Sequence, residues 1–145
     1  MLTRRGLLRR IDVARIKDAI MAAERRTSAE LRVSVAPFFW GNVEKTAWRA
    51  FERLAMHQTQ DRNGVLFFVV PSRRSFVVLG DKGIHERVGQ DFWQAVVREM
   101  EPHFRRGEFS EALIAGIAAA GEALAAHYPY DSPSDRNELP DEVDI

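Results

Sequence analysis

Cysteine is absent from the 145 residues. Disulfide frameworks, thiolate-bound metals and cysteine nucleophiles are therefore excluded together, and histidine, carboxylates and amide or backbone oxygens remain as the available metal ligands. No charge of one sign prevails either, since Lys plus Arg number 21 and Asp plus Glu number 21. A balanced chain has no overall field to draw it to nucleic acid, and none is expected as a partner. Long hydrophobic runs are also missing. The longest, from Val65 to Pro71, is far short of the roughly 18 residues that a membrane span needs. Near the start, Arg9, Arg10, Asp12, Arg15, Lys17 and Asp18 break every stretch that a secretory leader would require. The expectation is a soluble, cytoplasmic protein.

What is present suffices for one domain, expected to be monomeric, because a chain of this length that is 46% hydrophobic can bury a substantial core. Residues 1–10 form a basic arm, "RRGLLRR" with Leu2, Leu7 and Leu8. It reads as a solvated terminus, with peripheral contact to an anionic membrane surface as the alternative. Val13, Ile16, Ile20 and Ala23 recur at helical spacing and predict a helix over 11–26. Leu31, Val33 and Val35 alternate with Glu30, Arg32 and Ser34, which predicts a strand ending near Pro37. Asn42 then caps a helix over 43–58 whose apolar face carries Ala47, Trp48, Phe51, Leu54 and Ala55.

Residues 64–71 are continuously apolar and 75–80 nearly so, the pattern of strands covered on both faces. The link "SRR" is too short for a crossover, so these two pair antiparallel as interior strands, while the first strand reaches them through a helix and lies parallel. Arg73 and Arg74 sit at the hairpin tip. A third helix begins with Asp91 and Gln94 in a capping box and buries Phe92, Val96, Met100 and Phe104, with Pro102 expected to shorten or kink it. A fourth, over 109–127, carries Phe109, Leu113, Ile117, Ala120 and Leu124, and Gly116 and Gly121 on it imply close packing. Residues 129–145, rich in proline and acidic groups, read as a flexible tail. Residues 11–128 are thus expected to form a three-layer α/β/α sandwich, Rossmann-like, with a small mixed sheet flanked by helices on both faces.

"DRNGVLFFVV", "FVVLGDKGI" and "FRRGEFSEALIAGIAAAG" resemble, in order, three blocks of the TPM domain family. Phe104, Gly107 and Phe109 stand at its Phe-x-x-Gly-x-(Phe/Tyr) corner, and "TSAELRV" at 27–33 is similar to the opening strand of bacterial members. The family includes thylakoid photosystem II repair proteins, a plant lumenal acid phosphatase and a nematode receptor modulator. The resemblance implies a Rossmann-like sandwich and, in some members, a divalent metal, commonly calcium, in a cleft at the strand ends. Many members carry a signal and a membrane anchor, and neither is expected from this sequence.

Asp61, Asn63 and Asp81 have two readings. Asp and Asn bond to nearby backbone amides in turns, and Asn-Gly favours positive φ. Alternatively, pairing of the two strands brings all three to one sheet edge, where Glu30 also opens its strand, and these oxygens could serve calcium or another divalent cation. Gly80 and Gly83 complete neither a Walker sequence nor Gly-x-Gly-x-x-Gly, so no nucleotide is expected. His57, His85, His103 and His127 show no ligand spacing, and Ser34, Ser72, Ser75 and Ser110 no nucleophile elbow. Trp48, Phe51, Phe92, Trp93 and Phe104 read as core. No catalytic residue is assigned. Two functions compete: a non-enzymatic module for interaction, assembly or quality control with an unknown protein partner, and a metal-dependent acid phosphatase acting on phosphate monoesters.

Overall fold

A computed structural model describes residues 3, 5, 6, 10–130 and 143–145. Its centre is β2 (Gly64–Val70), in which every residue is buried. Apolar side chains on both faces of one strand require a layer of helices on each side. β1 (Glu30–Val35) pairs parallel to β2 with Glu30 opposite Gly64, and β3 (Ser75–Gly80) pairs antiparallel with Gly80 opposite Val65. α1 (Val13–Glu24), α4 (Gln90–Arg105) and α5 (Phe109–Leu124) cover one face, where Ile16, Ile20, Met100, Leu113 and Ile117 meet Val33, Val65, Phe67 and Val69. α2 (Val43–Arg53) covers the other, setting Ala47, Ala50 and Phe51 on Leu66, Phe68 and Val70. The three-layer mixed sandwich expected from the sequence is the fold observed.

Local chemistry explains most of the boundaries. Asp12 caps α1 by accepting from Arg15 N at 3.1 Å, and Asn42 caps α2 by accepting from Lys45 N at 2.8 Å. Gly116 and Gly121 lie where α5 passes closest to its neighbours: a Cβ on Gly116 would stand 2.6 Å from Met100 Cγ, and one on Gly121 2.8 Å from Ala23 Cβ. Gly107, at φ +74°, turns the chain between α4 and α5.

Several expectations need correction. The 75–80 strand is an edge strand, since the sheet order is β3-β2-β1 followed by a short strand at Val143–Asp144, and its first four residues are only half-buried. α2 stops at Arg53 rather than 58 because Ala55 is left-handed, at φ 55°, and the chain goes on as a single tight turn over Met56–Gln58. A further short helix, α3 (Lys82–Arg87), follows β3. α4 starts at Gln90 behind Gly89, not behind Asp91, and passes through Pro102 to Arg105. Arg98, whose carbonyl loses its donor at Pro102, is exposed, so water can take that place. Trp48 is 39% exposed, its ring centroid 5.2 Å from that of Phe51.

The end of the chain differs most. Residues 131–142, most of the expected flexible tail, lie outside the described residues, as do 1, 2, 4 and 7–9 of the basic arm. Val143–Asp144, however, form β4, parallel to β1 with Val143 opposite Val33 and Asp144 opposite Ser34. Side chains hold it there: Arg53 donates to both Asp144 carboxylate oxygens, at 3.2 and 2.8 Å, and Ser34 Oγ donates at 2.7 Å.

Replacing Phe67 by alanine is expected to cost about 3–5 kcal/mol in urea unfolding, because its ring is fully buried in the larger core cluster and leaves a cavity. Val77→Ala on the half-buried edge strand should cost less than about 1.5 kcal/mol. Equal losses at the two positions would contradict the central and edge assignments.

Candidate functional site

The beginnings of β1 and β2 and the end of β3 meet at one end of the sheet. Glu30 N donates to Asn63 O at 3.2 Å and Asp81 N donates to Gly64 O at 2.9 Å. Glu30, Asn63 and Asp81, singled out from the sequence, are thereby brought to the same sheet end, each nearly or fully buried, while Asp61 is exposed on the loop before β2. Glu30 and Asp81 flank Gly64 from opposite sides, so two strand spacings, roughly 10 Å, separate their backbones. Gly64 is required between them, since a Cβ there would lie 2.8 Å from the Met56 carbonyl oxygen.

Asp81 is the electrostatic centre of this end. Arg62 donates to it bidentately, Nε to Oδ2 at 2.7 Å and Nη2 to Oδ1 at 2.8 Å, and Lys82 N donates to Oδ1 at 2.7 Å. These bonds hold the Arg62 guanidinium above its usual pKa. Arg62 can reach Asp81 because its own backbone is left-handed, at φ 50°, which turns the loop over the start of α3. Gly83 N then donates to Arg62 O at 2.9 Å, and a Cβ on Gly83 would come within 2.6 Å of that oxygen.

A second set of contacts ties the loop to the end of α5. Tyr128 OH donates to Gly83 O at 2.7 Å, Ser28 N donates to Tyr128 O at 2.9 Å, and Thr27 Oγ1 also donates to Tyr128 O. Burial raises the Tyr128 hydroxyl pKa; the Arg87 guanidinium, 4.8 Å over the ring, opposes this, and the Asp61 and Glu86 carboxylates add to it. The hydroxyl therefore stays a donor at neutral pH. Asn63 donates from Nδ2 to Ser28 O at 3.3 Å and from its backbone N to Thr59 Oγ1 at 3.1 Å, while its buried Oδ1 has no hydrogen-bond partner among the described residues.

As arranged, these groups do not fit a cation. Both Asp81 oxygens are engaged by Arg62, Glu30 stands across β2, and among the described residues no three His, Asp or Glu side chains gather where they could hold a metal ion. Asp81 does meet the backbone as turn chemistry requires, capping α3 through Lys82 N. Sequence reading missed Arg62 and Tyr128. Both become legible only once the strand register and the end of α5 are known.

With this geometry in view, the chain is similar to the BA42 protein of the psychrophilic bacterium Bizionia argentinensis, at 38% identity and a TM-score of 0.84 over 89% of this chain and 88% of that one. The TPM domain matches residues 2–123. The chain belongs to the TPM domain family. Two further TPM-like folds are the N-terminal domain of a P. gingivalis protein, 18% identical with a TM-score of 0.65 over 79% of this chain and 75% of that one, and the N-terminal domain of cg2496 from Corynebacterium glutamicum, 14% identical with a TM-score of 0.62 over 83% and 74%. At those identities the likeness concerns the fold alone. A search of curated proteins finds no match. No helix among the described residues is long and apolar enough to cross a membrane.

In this TPM domain, Arg62→Ala should lower the melting temperature more than Asp81→Asn does, since the first strands a buried carboxylate and the second removes it. Arg62→Lys should restore only part of the loss, because an ammonium cannot reproduce the two parallel bonds. Gly83→Ala is expected to cost about 1–3 kcal/mol through its clash with loop backbone. A melting temperature unchanged in Arg62→Ala would remove the ion pair from any structural role.

Proposed function

We propose that this TPM domain protein is a non-enzymatic interaction module serving the assembly or quality control of other proteins. One observation carries the reading: after β1, the loop "PFFWG" holds Trp40 86% exposed and Phe38 40% exposed. A large aromatic kept in water contributes nothing to folding, whereas exposed Trp and Phe are the side chains that most often anchor protein interfaces. The loop is tied back to the fold, since Arg73 Nη1 donates to Gly41 O at 2.7 Å, so Trp40 is presented from a fixed base. It also lies past the carboxyl end of a parallel strand, the side where α/β sheets commonly receive ligands.

The test is light scattering from reduced insulin, whose B chain aggregates. Stoichiometric protein is expected to delay the aggregation, and Trp40→Ala to lose more than half of the delay without a change in melting temperature. Hydrolysis of p-nitrophenyl phosphate at a rate that rises with added metal and is indifferent to Trp40→Ala would overturn the proposal in favour of the phosphatase.

The second reading keeps the divalent cation, and the unpartnered Asn63 Oδ1 favours it. Calcium held by Asn63, Asp61, Asp81 and Glu30 would require Arg62 to leave Asp81, so stabilisation should be larger in Arg62→Ala than in the parent chain. Saturation a hundredfold above the dissociation constant corresponds to about 2.7 kcal/mol. A flat melting temperature in both proteins up to millimolar calcium ends this reading.

A further inference from the structure

β1 offers its outer edge to a segment from the far end of the chain, and the way that segment is held describes what the edge accepts. Val143 turns toward the larger core cluster, and Asp144 turns to the α2 face, where Arg53 and Ser34 bind its carboxylate. Two features show that the receiving site belongs to the domain rather than to the tail. Arg32, on the same face of β1 as Ser34, is 6% exposed, and its Nε has no hydrogen-bond partner among the described residues. A buried guanidinium with an unused donor is costly without a nearby anion. Its charge is among those that lower the pKa of Asp144, after the bonds from Arg53 and Ser34 and the charge of Arg53 itself.

We propose that the outer edge of β1 is a strand-docking site for a partner protein's extended segment of alternating acidic and aliphatic residues, and that the chain's own Val143–Asp144 fills it in cis. The parallel register defines the preferred sequence. An aspartate stands opposite Ser34 and bonds to Arg53, the aliphatic residue before it faces the core, and a second carboxylate two residues before the aspartate stands beside Arg32. Backbone bonds along β1 give a docked strand its affinity, while the charged and apolar side-chain positions supply the selectivity. The cis segment competes for the edge from within the same chain. It keeps the edge from pairing at random and yields to a better strand.

The groups facing Asp144 are Arg53 from α2 and Arg32 and Ser34 from β1, and they set its pH behaviour. Because its docked pKa is lowered, the docked state is fully favoured above the free Asp value of about 3.9 and is lost as pH falls through the lower docked value.

This inference is independent of the aromatic loop, and its test uses the full chain. Asp144→Lys sets a cation against Arg53 and empties the edge; Val143→Pro, which removes a backbone donor, empties it by another route. The probe is a fluorescein-labelled peptide of sequence ELPDEVDI, followed by anisotropy. Saturable binding is expected to both variants, at least tenfold weaker binding to the parent chain, and at least tenfold weaker binding of the peptide ELPDEVNI or of either variant carrying Arg53→Glu. No saturable binding to either variant at millimolar peptide, or equal binding to variants and parent, overturns the proposal. A concentration-dependent dimer of the parent chain that Asp144→Lys abolishes also overturns it, because the occupant would then be a second copy.

Discussion

No face of β2 meets water, so every backbone amide of that strand has to find its partner in the sheet and every side chain has to find a helix. That requirement fixes the architecture. One neighbour must come from each side, which β1 and β3 provide, and one helical layer must cover each face, which α2 provides on one and α1, α4 and α5 on the other. It also fixes where charge can go. Buried polar side chains of this sheet lie at strand ends, as Glu30, Asn63 and Asp81 do, or on the α2 face of β1, as Arg32 and Ser34 do.

The consequences at the two ends of the sheet are opposite. At the start of β2, where the loop carrying Arg62 meets the start of α3, a buried carboxylate is matched by two guanidinium bonds and a backbone amide. The Asp81 side chain is 6% exposed and Arg62 48%, so the pair is half in water, and its main effect is to prevent an uncompensated charge rather than to add a large attraction. At the other end, past β1, Phe38 and Trp40 remain in solvent on a loop tied by Arg73. One end is closed by matched charge. The other presents apolar surface without matching it.

The sequence carried the strands well because their signal is local. Alternation in 30–35 and continuous burial in 64–70 need no knowledge of distant residues, and the four-residue link at 71–74 dictates antiparallel pairing. Interior and edge positions are another matter, since whether 75–80 has a neighbour on its far side is decided elsewhere in the chain, and its apolar composition answers to α4 on one face rather than to a further strand. α3 has only six residues and its capping Asp81 reads equally as a strand exit, so neither periodicity nor caps could have isolated it. At the candidate site, the common sheet end of Glu30, Asn63 and Asp81 was legible from pairing direction alone. Arg62 was not, because its reach to Asp81 depends on a left-handed backbone at a non-glycine residue, which composition does not announce. The contact between Ser34 and Asp144 spans 110 positions, beyond any local pattern.

The two sheet edges complete the asymmetry. β3 has no strand on its outer side among the described residues, but its edge lies beside α4, and Arg74 at its start donates to Arg105 O at 2.8 Å, so charge and a helix end crowd the place where a stray strand would begin to pair. Among the described residues β1 is covered differently, by Val143 and Asp144, whose hold depends on one carboxylate. A guard of backbone bonds alone would admit any extended peptide. A guard that must satisfy Arg53, Ser34 and the buried Arg32 favours segments that bring an anion in the right register, because a neutral competitor would leave the buried Arg32 without one. Selectivity at this edge therefore follows from the charges the domain has already placed there.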